Sequence, residues 1–254
     1  MISVKLPNQS SIISVMQKAV IKASRGLLRD FSELEHLQVS VKSNNSFVSS
    51  ADTRADKILR EELMHARPTY SLISEESAEI VGEDPSYRWI IDPLDGTSNY
   101  IHGFPHWAIS VALEKDNQVI AAVTYDPVKN EMFWAEKGYG AYVNDRKIRV
   151  SSRKNINTTL VSFGTLTTLP KIAKICPSIR RCGSMSLDMA YLACGRLDLL
   201  FISPNGNPWD VAGGSLIVKE AGGVLMDHEY HPVDHYSKLE VMGNIDLLKT
   251  ISKL

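Results

Sequence analysis

Apolar residues recur at three- and four-residue intervals from Ile12 through Met16, Ala19, Val20 and Ala23 to Leu27. That is the spacing of one face of a helix, and Ser10 or Ser11 stands where an N-cap would accept the first free backbone N–H groups. The rhythm returns at Ala55, Ile58, Leu59, Leu63 and Ala66, and Pro68 ends it because proline cannot continue a helix. Between these helices, residues 42–50 are rich in serine and asparagine and read as a loop. Tyr70 to Ile73 and Tyr87 to Ile91 read as short strands that finish at acidic residues. From Trp107 to Val150 the pattern shortens to four strands: Ala108 to Leu113, Val119 to Tyr125, Met132 to Glu136 and Ala141 to Val143. Turn residues at 116–117, 127–130 and 138–140 separate them, which predicts an antiparallel meander. After a strand at Leu160 to Phe163 come a helix (Ser186 to Cys194), a strand (Leu197 to Ile202), a helix (Val211 to Ala221) and a strand (Val224 to Met226). Strands in runs, then helices and strands alternating, predict an α+β layered protein.

Composition narrows the class. A chain of 254 residues with 44% hydrophobic content can bury a substantial core, as a single domain over 1–254 or as two closely packed lobes, about 1–150 and 151–254. Its 28 basic and 29 acidic residues leave a net charge of −1, so no global field draws it to nucleic acid or an anionic membrane. Direct nucleic-acid binding is not expected. No apolar stretch approaches the roughly 20 residues needed to span a bilayer, and the first residues do not read as a signal peptide. Cys176, Cys182 and Cys194 are odd in number and lack a Cys-x-x-Cys spacing. They argue against a disulfide framework or structural zinc site and for a reducing compartment, so a cytoplasmic location is expected.

The chemistry concentrates in one segment, Trp89-Ile90-Ile91-Asp92-Pro93-Leu94-Asp95-Gly96-Thr97-Ser98-Asn99. An apolar strand delivers two carboxylates, Asp92 and Asp95, with Pro93 between them fixing the direction of the chain. Gly96 and Thr97 then open a helix, where free backbone N–H groups favour an anion. Hard cations such as Mg²⁺ take oxygen ligands, and a phosphate oxygen can complete their shell. Carboxylates beside exposed amides therefore point to metal-assisted phosphate chemistry. An ordinary strand-ending turn accounts for Asp92-Pro93 alone, but not for the whole segment.

On this segment the chain resembles the inositol monophosphatase family of Mg²⁺-dependent, lithium-sensitive phosphatases. A second block, Trp209-Asp210-Val211-Ala212-Gly213-Gly214 continuing to Glu220-Ala221-Gly222-Gly223, and an acidic element, Ser74-Glu75-Glu76-Ser77, extend the resemblance in the family's order. The resemblance implies alternating layers of helices and sheets, α-β-α-β-α. It also implies a site holding two to three Mg²⁺ ions. Glu75, Asp92 and the backbone carbonyl of Leu94 would hold one ion, and Asp92, Asp95 and Asp210 a second, with Glu76 a further acid in the same loop. Two metals roughly 3.5–4 Å apart stabilise both the attacking and leaving oxygens of an in-line displacement. Asp95, Gly96 and Thr97 would bind the phosphate, while Thr97 and Glu75 match the pair that orients and deprotonates the attacking water, with no phosphoenzyme. Asp52 matches an acid that supports the threonine and the acidic loop from behind, although an acid interacting with the dipole at a helix start reads equally well. Asp210 is at once a candidate ligand and a candidate N-cap. Lys42 matches a loop lysine of the weaker metal and phosphate region, and as a surface lysine it would simply be solvated.

Arg181, Gly183, Ser184 and Met185 stand where the family contacts the rest of its substrate, though Gly183-Ser184 also reads as a loop and helix cap. Two departures concern specificity. Ser203 occupies a position where inositol-specific members carry a glutamate, and the interval from Phe163 to Arg180 is shorter than the family's. The remaining features read as structural: His228, His231 and His235 lack zinc-site spacing, His102 and His106 shape a loop, and Cys194 is a small hydrophobe.

The expected activity is hydrolysis of a small phosphomonoester, with myo-inositol 1-phosphate first in line, by a homodimer. Fructose 1,6-bisphosphate, histidinol phosphate and a nucleotide 3′-phosphate are the alternative substrates. A role as a partner of the transcription and ribosomal RNA machinery, known for bacterial members of the family, is the alternative of a different class.

Overall fold

The computed structural model of the chain describes residues 9–36, 41–164, 173–174, 176, 178–203 and 206–253, without the side chains of 34–49. Both N-terminal helices form, α1 over Ser11–His36 and α2 over Val41–Ala66. Ser10 caps α1, its hydroxyl accepting the Ile13 N–H at 3.3 Å. One stripe of α1 (Ile13, Met16, Val20, Leu27, Phe31) packs with Ala55, Leu59 and Leu63 of α2 into a single apolar cluster. Residues 42–50 are the exception to the sequence pattern, for they continue the backbone of α2. Each residue added to an existing helix gains a backbone hydrogen bond, which outweighs the modest turn preference of serine and asparagine.

These helices cover one face of a seven-stranded sheet that runs β1 (Tyr70–Ser74), β2 (Asp84–Asp95), β3 (Ala108–Lys115), β4 (Gln118–Asp126), β5 (Glu131–Glu136), β6 (Gly140–Val143) and β7 (Arg146–Lys147) in spatial order. β1 pairs parallel to β2, and every later neighbour is antiparallel, as the meander predicts. The turn between β3 and β4 places Asp116 and Asn117 at φ 48° and 61°, a left-handed pair suited to a two-residue hairpin. Both faces of this sheet are buried, which is why its strands read as continuous apolar runs. Trp89, Ile91, Val111 and Val123 point to the α1–α2 side, and Ile90, Ala112 and Ala122 to the other.

On that second face lie α4 (Met185–Ala193) and α5 (Pro208–Glu220), after the short α3 (Thr97–Ile101). Beyond them a five-stranded sheet runs β11 (Val224–Met226), β12 (Val241–Gly243), β10 (Leu199–Phe201), β8 (Leu160–Phe163) and β9 (Ser178–Arg180). Leu200, Leu225 and Met242 face the α4–α5 layer, while Leu199, Phe201 and Val241 face α6 (Ile245–Ile251). The architecture is thus the expected α+β stack, α-β-α-β-α. The sequence pattern does not reveal β7, β9, β12 or α6: the strands have two or three residues and the helix only two turns, so none repeats a period. Among the described residues no helix is long and apolar enough to cross a membrane.

Two details of β2 position the site. Parallel pairing places Ser74 opposite Ile91, so Glu75 leaves β1 beside Asp92. The ladder to β3 then shifts between Asp92 and Asp95, with Asp92 opposite Ser110 and Asp95 opposite Ala108. Pro93 has no N–H to give the ladder, and the resulting bulge turns Leu94 and both acids toward the strand's end.

Candidate active site

Asp92 is 1% exposed, and its Oδ1 accepts the Leu94 N–H at 3.0 Å. Burial holds its carboxyl well above the usual range, reinforced by the charges of Asp95, Glu75, Asp210 and Asp52. Asp95 is 8% exposed and more richly bonded. Its Oδ2 accepts the Ser184 hydroxyl at 2.7 Å and the Ser186 N–H at 2.5 Å, and its Oδ1 accepts the Met185 N–H at 3.2 Å. Asp95 therefore occupies the amide end of α4, where a negative charge is favoured. Burial nonetheless outweighs those bonds and raises its pKa.

Asp210 is not the N-cap of α5: the helix begins three residues earlier than the sequence suggests, with Asn207 as its N-cap. Asp210, in the first turn, reaches back so that its Oδ2 accepts the Asn207 N–H at 3.1 Å and closes a capping box. Its carboxyl is also raised, by burial. Glu75, at the open edge, is pushed up to about 7, first by desolvation and then by Asp210, Glu76 and Asp95. Asp52 lies well inside α2, which removes the helix-start reading of this residue. It is buried, its Oδ1 has no hydrogen-bond partner, and its pKa is pushed up to about 8 by burial and by Glu76, Glu75 and Asp56.

This is an oxygen-only donor set with excess negative charge, the chemistry that suits a hard divalent cation. Asp92, Asp95, Asp210 and the Leu94 carbonyl are each oriented by a hydrogen bond and keep a lone pair. Asp95 accepts three bonds out of about four a carboxylate can take, and the Leu94 carbonyl accepts the Thr97 hydroxyl at 3.0 Å with its second lone pair unused. The residues thus fit the divalent cation. Glu75 is hydrogen-bonded to Asp92, yet no three of these carboxylates converge tightly: among the described residues, the His/Cys/Asp/Glu group whose ligand atoms all lie within 4.8 Å of one another is His106, Cys182 and Asp188.

Gly96 precedes α3 at φ 96°, and a Cβ there would come within 3.0 Å of the His106 carbonyl. Only glycine fits that approach. α3 is five residues long, so any preference for an anion here rests on the local amides of Gly96 and Thr97 more than on a macrodipole.

A cavity of about 510 Å³ opens beside Asp95 and Asp210. Arg181, Gly183, Ser184, Met185 and Ser203 line it, so the candidate substrate contacts share one space with two of the candidate ligands. Ser184 and the Met185 amide are committed to Asp95, however, which gives them a positioning role. The side chain of Lys42 lies outside the described residues, as do most of the shortened 163–180 interval and Pro204-Asn205. His228 and His231 are exposed beside Asp227, Glu229 and Glu240, and join no such cluster.

Two functional neighbours escape a reading of the sequence. Asn99, the last residue of the phosphate-chemistry segment, donates from Nδ2 to the carbonyls of His106 (2.6 Å) and Cys182 (2.8 Å), tying the α3 loop to the 181–184 loop. Asp188 is 2% exposed and lines the cavity, and an acid within the apolar run of α4 is the available signal.

The fold and site together define a layered α+β protein with a pocket bordered by three aspartates, Asp95, Asp188 and Asp210. The profile of the inositol monophosphatase family matches residues 8–253, and the chain belongs to that family, one of phosphatases that are generally metal-dependent. It is 46% identical over 232 residues to an inositol-1-monophosphatase of Rhizobium meliloti (strain 1021), covering 87% of each chain. It is 41% identical over 232 residues to the Nus factor SuhB of Xylella fastidiosa (strain Temecula1 / ATCC 700964), covering 86% of this chain and 82% of that one. Its fold matches the crystal structure of the extragenic suppressor protein suhB from Bartonella henselae with a TM-score of 0.85 and 39% identity, over 96% of this chain and 98% of that one.

Proposed function

We propose that the protein is a Mg²⁺-dependent phosphomonoesterase whose preferred substrate is a small polyol phosphate, with myo-inositol 1-phosphate the leading candidate. The observation that carries this reading is Asp92: a buried carboxyl under the charge of four further acids, two of which, Asp95 and Asp210, line a cavity of substrate size. Glu75, Asp92, Asp95, Asp210 and the Leu94 carbonyl would hold Mg²⁺, two to three ions in all. When bound, the metal neutralises the acids, polarises the phosphoester and lowers the pKa of water.

The chain's own residues supply the rest. Glu75, at the open edge of the site, would accept a proton from the attacking water, with Thr97 orienting it. Gly96 and Thr97 present amides to the phosphate, and Asp52 backs the acidic loop. Ser184 fixes Asp95 in one rotamer, while Arg181, Gly183 and Met185 border the leaving group. Lithium sensitivity and a homodimeric, cytoplasmic enzyme belong to the same reading.

Phosphate release from a panel of inositol, sugar, histidinol and nucleotide phosphates, with and without Mg²⁺ and Li⁺, tests it. Inositol 1-phosphate is expected to lead, with activity lost in EDTA. No Mg²⁺-dependent release from any member would contradict the proposal. Ser203→Glu is expected to raise the preference for inositol phosphate, since a carboxylate accepts stronger hydrogen bonds from sugar hydroxyls. An unchanged substrate ranking would remove Ser203 from specificity. Ser184→Ala, which takes a hydroxyl from Asp95 and a cap from α4, is expected to lower kcat roughly tenfold and stability by about 1 kcal/mol. Wild-type kcat in that variant would show that the orientation of Asp95 does not matter.

The resemblance to proteins named Nus factor SuhB favours a second reading, partnership with the transcription machinery. A pull-down of RNA polymerase by wild-type and Asp92→Asn protein separates the roles: binding that survives in the variant is independent of catalysis.

A further inference from the structure

We propose that His106, Cys182 and Asp188 form a second metal site, selective for zinc-class cations and distinct from the oxygen-only carboxylate set. Their ligand atoms all lie within 4.8 Å of one another, with His106 Nε2 3.3 Å from Asp188 Oδ1. An imidazole, a thiol and a carboxylate are a mixed N, S, O set, which suits Zn²⁺ or Co²⁺ and offers little to Mg²⁺.

The surroundings hold these three groups in place. The Asn99 side-chain amide donates to the main-chain carbonyls of both His106 and Cys182, fixing the two loops that bring them together. Gly183 seals that junction, because at φ 87° a Cβ would press within 3.0 Å of the Asn99 amide. The Ser162 hydroxyl donates to Asp188 Oδ2 at 2.7 Å, which leaves Oδ1 turned to the imidazole. The imidazole itself is 7% exposed and packs edge-on against Tyr191, with ring centroids 5.4 Å apart. Of these contacts, the Ser162 bond to Asp188 is of the kind that orients a metal ligand, and the Asn99 bonds fix the backbone beneath the other two.

Three protein ligands leave a fourth tetrahedral position, and Cys182 and Asp188 both line the 510 Å³ cavity, so that position is on the cavity side. Binding converts the thiol to thiolate and releases its proton to solvent. Without a metal, Asp188 would hold the imidazole and accept the Cys182 thiol proton, and the cobalt spectrum separates that hydrogen-bonded arrangement from a metal site. The site lies beyond the cysteine-spacing argument because its three ligands come from three separate segments.

The test is a Co²⁺ titration of the full chain, stripped of metal with EDTA and kept reduced. A thiolate-to-cobalt charge-transfer band in the near ultraviolet is expected, saturating at one equivalent, displaced by Zn²⁺ and unaffected by excess Mg²⁺. Cys182→Ser is expected to abolish the band and weaken Co²⁺ binding at this site by roughly 100-fold, whereas Cys176→Ser and Cys194→Ser keep it. Absence of the band in the wild-type protein overturns the proposal whatever the variants do, and so does a band that survives Cys182→Ser or disappears with excess Mg²⁺. The spectrum does not depend on turnover, so the site stands or falls apart from the phosphatase reading.

Discussion

Asp92→Asn is expected to lower kcat roughly a thousandfold or more and, without divalent metal, to raise the melting temperature by a few degrees. The two effects share one cause. Asp92 is buried among Asp95, Glu75, Asp210 and Asp52, and that pressure raises its pKa. The amide keeps an oxygen for the Leu94 N–H but removes the charge a cation would need. A thousandfold loss is about 4 kcal/mol of transition-state stabilisation, a reasonable cost for a lost bridging ligand. Relief from a poorly compensated buried charge is worth roughly 1–3 kcal/mol, or a few degrees for a chain of this size. Stability and function are opposed at this residue. Glu75→Gln is expected to match the loss of activity and, in metal-free protein, to raise the melting temperature at pH 8.5 while changing it little at pH 5.5, because it removes a carboxyl whose pKa is pushed up to about 7. Steady-state kinetics and thermal denaturation in EDTA check both variants, and near-wild-type turnover in either would contradict the ligand assignment.

The second large effect is on pH. Asp52 and Glu75 have folded-state pKa values of about 8 and about 7, above their ordinary 3.8 and 4.5. The folded state therefore binds these protons more tightly than the unfolded state does. Their stabilising contribution is complete below about pH 4 and is lost as pH rises through about 7 to 8. Metal-free protein is expected to melt at a lower temperature at pH 8.5 than at pH 5.5. Mg²⁺ should reverse this, most strongly at pH 8.5, because protons and cation compete for the same oxygens. For the same reason, the Mg²⁺ concentration giving half-maximal activity should rise about tenfold per pH unit below about 7. Thermal melts and Mg²⁺ titrations from pH 5.5 to 8.5 measure both effects. Stabilisation by Mg²⁺ that is greater at pH 5.5 than at pH 8.5 would contradict the account.

Local features of this chain are legible in its sequence. Trp89 to Asn99 states its own geometry: an apolar strand, a proline that breaks the ladder, two acids and a glycine turn. The α1 stripe and the meander are equally local, each set by a period or a residue type within a few positions, whereas the start of α5 is misplaced by three residues, with Asn207 and not Asp210 at its N-cap. What stays hidden is tertiary. The bond from Ser184 to Asp95 spans 89 positions, and no local pattern connects them. The Asn99 amide bridges two loops for the same reason, and His106 faces Asp188 only because the loop after α3 meets α4. Residues 42–50 mislead because serine and asparagine report weak turn preferences that an established helix overrides. The interior position of Asp52 follows from that same extension, and its orphaned oxygen has no signature in residue spacing.

The central claim is that acids distant in sequence share a divalent cation. Crystals soaked in Mn²⁺, a Mg²⁺ surrogate visible in anomalous scattering, test it most directly. The expected result is an anomalous peak with Asp92 among its ligands, joined by Glu75 and the Leu94 carbonyl, and lost in Asp92→Asn. Soaking at a Mn²⁺ concentration that supports turnover and finding no peak at Asp92 would contradict it.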